Sequence, residues 1–252
     1  MNKQIEEQSI DIGGVQLYYE DVGKSSGNPT VVFDSGYGWT TEKWNSVKNE
    51  VSAFSRMIIY DRSGLGRSSY DGRPRHSQQN VENLRALLQK AEVKPPYVLV
   101  GHSFGGVNVR LYASTYPDEI AGLILLDSCH EDQNRLIAPL FSPQIRAEYF
   151  GQFIVEGTLA EFEESLEQVR KHKSLGNVSL TVITGGKQPH HTVESWAYWM
   201  EFQKNLAQLS SHSRHIILEE AGHGLHLDCP EAVIEQIRTM VESLKGKVNR
   251  HV

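Results

Sequence analysis

Apolar residues in this chain fall into short unbroken runs, separated by stretches where they recur every three or four positions. Tyr97-Val98-Leu99-Val100, Arg56-Met57-Ile58-Ile59-Tyr60 and Ile120 to Leu126 are too short for helices and predict buried strands. Val15 to Asp21, Thr30 to Phe33, Leu180 to Thr184 and His215 to Leu218 carry a similar signal, with Gly27-Asn28-Pro29 as the turn between the first two. Ser77 to Ala91 sets Val81, Leu84, Leu87, Leu88 and Ala91 on one helical face, with Ser77 in the N-cap position. Helices are also predicted over Thr41 to Phe54 and Thr192 to Leu209, and behind Pro230, where Val233, Ile234, Ile237, Met240, Val241 and Leu244 share a face. Alternating strands and helices, with strands apolar throughout, predict an α/β fold class: a mostly parallel central sheet with helices on both faces.

The rhythm breaks between residues 129 and 177. That stretch is rich in Gln, Glu and Arg, lacks a strand signal and scatters Phe141, Tyr149, Phe150, Phe153 and Phe162 along its length. Thr158 and Glu161 form a capping-box pair ahead of Leu159, Phe162, Leu166 and Val169 at helical spacing. The expected organisation is a core of residues 1–128 and 178–252 with a small helical lid, 129–177, inserted between two strands. Such a lid would form a pocket wall and bear on substrate choice.

Composition narrows the class without choosing within it. The chain has 252 residues, 39% of them hydrophobic and 22% charged, in the range of one globular domain with an insertion. A net charge of −6 gives no electrostatic case for nucleic acid or an anionic membrane as partner. No apolar stretch is long enough to span a bilayer and the start has no signal-like apolar segment, so a cytoplasmic protein is expected. Cys129 and Cys229 have no metal-ligand spacing and read as two buried reduced thiols. Oligomeric state is not legible.

Chemistry enters after the strand ending at Val100, in Gly101-His102-Ser103-Phe104-Gly105-Gly106. A serine flanked by glycines two positions away, where a strand turns into a helix, is the pattern of a nucleophile elbow. Bulky neighbours would collide in so tight a turn, which pushes the serine oxygen above the sheet edge. Val107, Val109, Leu111, Tyr112 and Ala113 continue as the helix, up to Pro117. In a parallel sheet ligands bind beyond the carboxyl ends of strands, and Ser103 lies at one.

Serine needs a base, most often histidine. Gly222-His223-Gly224 follows the last predicted strand, in a loop free enough to bring an imidazole over a serine. His223, His226 and Asp228 as metal ligands would lack a further strong partner, so no metal is expected. For an oxyanion, the Phe104 N–H is one donor by construction of the elbow. The Tyr37 N–H, in the glycine-rich Asp34-Ser35-Gly36-Tyr37-Gly38 after an early strand, is the candidate for the other.

Taken together, the elbow, the Gly-His223-Gly loop and Asp61-Arg62-Ser63-Gly64-Leu65-Gly66-Arg67-Ser68, which is similar to a D-x-x-G-x-G-x-S loop, resemble the α/β-hydrolase fold superfamily over nearly the whole chain. That octet is chiefly a structural loop in the superfamily, so it carries no chemistry here. The resemblance implies a serine hydrolase acting on a small-molecule acyl substrate, an ester or lactone, with no cofactor. It also implies two alternatives: a cofactor-free lyase, C–C hydrolase or perhydrolase, or a ligand sensor with vestigial activity. Serine at the elbow disfavours the Asp-nucleophile chemistry of dehalogenases and epoxide hydrolases.

Two departures stand out. Many relatives carry His-Gly where this chain has Ser35-Gly36, which leaves the backbone role intact. Many also place the triad acid as Asp in a G-x-x-D turn, whereas here the turn reads Gly185-Gly186-Lys187-Gln188-Pro189. In some members the acid follows the preceding strand, which points to Asp127, with Glu131, Asp132 and Glu194 as the other carboxylates in play.

Overall fold

Strand alternation decides which side chains face which helical layer. In the computed structural model, which describes residues 6–23, 27–70 and 72–245, Val31, Phe33, Val98, Val100, Ile124 and Leu126 point to one face of the sheet, while Val32, Leu99, Leu123 and Leu125 point to the other. Both faces are therefore buried, as a parallel sheet requires. The first face packs on Val47 and Val51 of α1 (Asn45–Phe54) and on Val233, Ile237 and Val241 of the last helix (Pro230–Ser243). The second packs on α2 (Ser77–Lys90) and α3 (Phe104–Thr115) through Leu84, Leu88, Val107 and Leu111.

Eight strands form one sheet: β1 (Glu6–Asp11), β2 (Gln16–Val22), β3 (Thr30–Asp34), β4 (Met57–Tyr60), β5 (Tyr97–His102), β6 (Ile120–Leu126), β7 (Ser179–Gly185) and β8 (Ser213–Leu218). Their spatial order is β1-β2-β4-β3-β5-β6-β7-β8. β2 runs antiparallel to both of its neighbours, β1 and β4; every pair from β4 through β8 in that order is parallel. The carboxyl ends of β5 to β8 consequently open at one edge, side by side, and the loops that leave them build the site.

Seven of these strands coincide with the predicted runs. The eighth, β1, reads Glu-Glu-Gln-Ser-Ile-Asp and has no apolar alternation, because an edge strand needs little burial. The helix predicted over Thr41 to Phe54 begins as a 3₁₀ turn, Thr41–Trp44, before α1. The N-cap of α2 is His76, whose ring accepts from the Gln79 N–H, and not Ser77, whose hydroxyl instead donates to Asn108. Cys129 is buried as expected, while Cys229 is partly exposed; both are free thiols.

Between β6 and β7 the chain makes α4 (Gln133–Leu136), a 3₁₀ turn at Ala138–Leu140, α5 (Pro143–Gly151) and α6 (Leu159–Arg170). The capping box of Thr158 and Glu161 starts α6. That helix docks on the body, burying Phe162, Leu166 and Val169 in the same cluster as α2 and α3. The earlier part leans on α7 (Val193–Ala207), where Ile137, Ala138 and Phe141 meet Trp199 and Phe202. No helix among the described residues is long and apolar enough to cross a membrane.

Candidate active site

Ser103 stands between β5 and α3 at φ 52° and ψ −116°, a conformation that costs a non-glycine residue on the order of 1–3 kcal/mol. Neighbouring chain makes the turn obligatory. A Cβ on Gly105 would come within 2.2 Å of the Asp34 carbonyl oxygen, and one on Gly101 within 2.6 Å of the Gly105 carbonyl oxygen. The Ser103 N–H donates to the Leu126 carbonyl (3.0 Å) and its own carbonyl accepts from Cys129 (3.1 Å), which fixes the elbow to the end of β6.

Asp127 follows β6 at φ 44° and is completely buried. Its Oδ2 lies 2.5 Å from His223 Nδ1. The carboxylate also accepts from Gln188 Nε2 (2.9 and 3.1 Å), the Gly185 N–H (3.2 Å) and Trp199 Nε1 (3.2 Å). Because a carboxylate only accepts, Nδ1 carries the proton and Nε2 of His223 is left with a free lone pair. The other carboxylates lie elsewhere: Glu131 pairs with Arg110, Asp132 with Arg135 and Arg170, and Glu194 is exposed in the first turn of α7.

Ser103 and His223 line one cavity of about 330 Å³. No Ser103–His223 hydrogen bond is formed here; the serine hydroxyl instead contacts Cys129 Sγ at 3.6 Å. Burial pushes the Cys129 thiol up to about 11, so it stays neutral beside the hydroxyl. An unformed hydroxyl–imidazole bond of this kind is common before substrate arrives.

His102 supports His223 from beneath. Its Nε2–H donates to the His223 carbonyl at 2.8 Å, and its ring stacks on Trp39 with centroids 4.7 Å apart. Burial, reinforced by His223 and His226, holds its pKa well below the usual imidazole range. In the last loop His226 stacks on Trp44, and Asp228 accepts from the Gly222 N–H.

The N–H groups of Phe104 and Tyr37 have no acceptor among the described residues. Phe104 opens α3, where amides are left without intrahelical partners and carry the positive end of the helix dipole. The Tyr37 side chain lies edge-on to Phe104, Phe153 and Phe162.

Four contributors escaped the sequence reading. Gln188 and Trp199 hold Asp127, while Arg62 and Glu156 meet behind the Tyr37 loop, 94 positions apart. Two of them had a local signal: Arg62 lies in the octet read as structural, and Gln188 in the turn that lacks the expected Asp.

The cavity wall is chiefly aromatic and aliphatic, with Tyr37, Phe141, Tyr149, Phe153, Phe162 and Trp199 prominent. His190 and His191 add polar edges near His223. Burial lowers both, His191 down to about 3, so both are uncharged at neutral pH. No lysine or arginine lines the cavity.

This chain belongs to the α/β hydrolase fold family, whose family model matches residues 29–154. It is 32% identical over 229 residues to the uncharacterised protein YqjL of Bacillus subtilis, spanning 90% of this chain and 88% of that one. Two solved structures share the fold at low identity. A mutant of the meta-cleavage product hydrolase CumD superposes with TM-score 0.71 at 17% identity, covering 94% of this chain and 98% of that one. A thermophilic esterase from Thermogutta terrifontis superposes with TM-score 0.69 at 19% identity, covering 96% and 99%.

Proposed function

We propose that the protein is a serine hydrolase that cleaves an ester or lactone of a small apolar acyl compound through an acyl-enzyme on Ser103. The observation that carries the reading is the 2.5 Å contact of His223 with buried Asp127, in a cavity whose wall includes the strained Ser103. In this scheme Ser103 Oγ attacks the substrate carbonyl carbon while His223 Nε2 takes the hydroxyl proton. Asp127 stabilises the imidazolium so formed. The carbonyl oxygen, now negative, accepts from the Tyr37 and Phe104 amides. Collapse breaks the bond to the leaving oxygen, which receives the proton from His223. Water then repeats the sequence on the acyl-enzyme and frees the acid.

Cavity chemistry supports an uncharged, apolar acyl group, because its aromatic wall offers no cation to pair a substrate carboxylate. The α4–α5 part of the insertion acts as the lid of this cavity, contributing Ile137, Phe141, Ile145 and Tyr149 to its wall. A C–C hydrolase reading rests on fold likeness to CumD alone. The test is labelling with a fluorophosphonate probe alongside turnover of p-nitrophenyl esters of graded length. Wild type is expected to label and turn over, and Ser103→Ala to do neither. Labelling that persists in Ser103→Ala would overturn the assignment.

A further inference from the structure

We infer that Glu156, through Arg62, is a positioning residue that aims the Tyr37 amide at the reacting carbonyl, so that the insertion between β6 and β7 completes the oxyanion hole. This rests on the serine-hydrolase reading above.

The geometry begins with one peptide plane. In a trans peptide the C=O and the following N–H point in opposite directions. The Gly36 carbonyl accepts from Arg62 Nη2 at 2.7 Å, and from the Trp39 N–H at 3.0 Å. The Tyr37 N–H of the same plane is therefore turned away from the guanidinium, in a loop so close to the elbow that a Cβ on Gly36 would stand 3.5 Å from Ser103 Cβ. Arg62 Nη1 holds the preceding plane through the Ser35 carbonyl at 2.6 Å and also meets Asp34 Oδ1 at 2.6 Å. The planarity and rigid fork of a guanidinium suit this task, whereas an ammonium could swing away.

Arg62 is in turn fixed by the insertion. Glu156 grips one edge of it with both oxygens, Oε1 to Nε at 2.5 Å and Oε2 to Nη2 at 2.8 Å. The same Oε2 accepts from the Gly38 N–H at 2.8 Å, so one carboxylate holds both the guanidinium and the loop. Next to it, Gly157 clasps the Tyr37 hydroxyl, its N–H donating at 2.8 Å and its carbonyl accepting at 2.9 Å. Both Arg62 and Glu156 are buried. Pairs of this kind contribute little net stability compared with apolar packing, so their use here is geometric.

Glu156→Gln tests the clamp, because an amide cannot replace the carboxylate. Its NH₂ must face either Arg62 Nε or the side shared by Arg62 Nη2 and the Gly38 N–H, all of them donors. Tyr37→Phe is an independent variant that removes the Gly157 clasp and keeps the backbone amide. Glu119→Gln, which disrupts the Arg85 pair far from the cavity, is the control for destabilisation without misaiming. Each is assayed for p-nitrophenyl butyrate turnover, for inhibition by an alkyl trifluoromethyl ketone, whose serine adduct carries an oxyanion, and for inhibition by hexanol, which fills the cavity without one.

For Glu156→Gln and Tyr37→Phe, kcat is expected to fall about 10- to 100-fold with KM within about threefold. The ketone Ki should rise by the same factor and the hexanol Ki should stay put. Glu119→Gln should keep wild-type values. The clamp is overturned if Glu156→Gln and Tyr37→Phe behave as Glu119→Gln, or if hexanol and ketone weaken together. Should Glu156→Gln fail to fold, Tyr37→Phe alone decides by the same criteria. A wild type that neither labels with fluorophosphonate nor turns over ester defeats the enzymatic reading itself and takes the clamp with it, an outcome distinct from a working enzyme indifferent to Glu156.

Discussion

Replacing Asp127 by asparagine removes the orienting charge while keeping its shape. Four groups donate to this carboxylate: His223 Nδ1, Gln188 Nε2, the Gly185 N–H and Trp199 Nε1. The asparagine oxygen can serve the Gly185 and Trp199 side, which leaves its NH₂ against His223 and Gln188. His223 escapes that clash by moving its proton to Nε2, and the nitrogen that should receive the serine proton is then already protonated. A wrong tautomer of this kind costs about a thousand- to ten-thousand-fold in kcat, or ~4–5.5 kcal/mol of transition-state stabilisation. Stability suffers less: one or two buried donors lose their acceptor, at about 1–3 kcal/mol each. The assay is pre-steady-state release of p-nitrophenol from p-nitrophenyl butyrate, with urea unfolding alongside to show that the variant is folded. KM should move little, since Asp127 is buried behind the imidazole. A folded Asp127→Asn enzyme retaining more than about a tenth of wild-type kcat would refute the reasoning, as would a larger loss from Glu194→Gln.

Acid should destabilise the fold through imidazoles that burial keeps neutral. His226 is held down to about 3 by burial, then by His223 and Lys43, so the unfolded chain takes up a proton near pH 6.5 that the folded chain refuses. Stability from this group is complete above that range and is lost as pH falls toward 3, amounting to about 2 kcal/mol at pH 5. Comparing urea midpoints at pH 7 and 5, His226→Phe should remove a loss of that size, and an unchanged pH dependence would contradict it. Phe153 packs between Tyr37, Tyr149 and Phe162 in the cavity wall. Phe153→Ala should cost about 3 kcal/mol of stability. It should raise kcat/KM for longer acyl esters by about fourfold per methylene accommodated, and an unaltered chain-length profile would remove Phe153 from the acyl subsite.

Legibility in the sequence tracked how local each physical demand was. The strands β3 to β7 announced themselves because both faces of the sheet are buried there, so the pattern is written in consecutive residues, whereas β8, at the sheet edge, is only partly covered and showed a shorter run. The Ser103 turn was legible for a similar reason: a steric demand on nearby glycines is a signal within five positions. His223 was read instead from its place between two glycines in the loop after the last strand. Arg62 and Glu156 were not, because a pair 94 residues apart exists only after α6 has docked and set the segment before it against the loop after β3. Gln188 is instructive in a different way. It stands three residues after Gly185, where the G-x-x-D pattern would put an acid, and its Nε2 lies 2.9 Å from the carboxylate of Asp127. Strands β6 and β7 are parallel neighbours, and the Asp127 N–H extends their ladder by donating to Ile183 at 2.7 Å. Adjacent strand ends lie about 4.8 Å apart, within the reach of one side chain. A carboxylate leaving either end can meet the same imidazole nitrogen, while the residue on the other end is left to donate to it. In the proposed enzyme the orienting charge therefore leaves the end of β6 and not of β7, and the aspartate that a linear motif registers as missing has its counterpart one ladder step away.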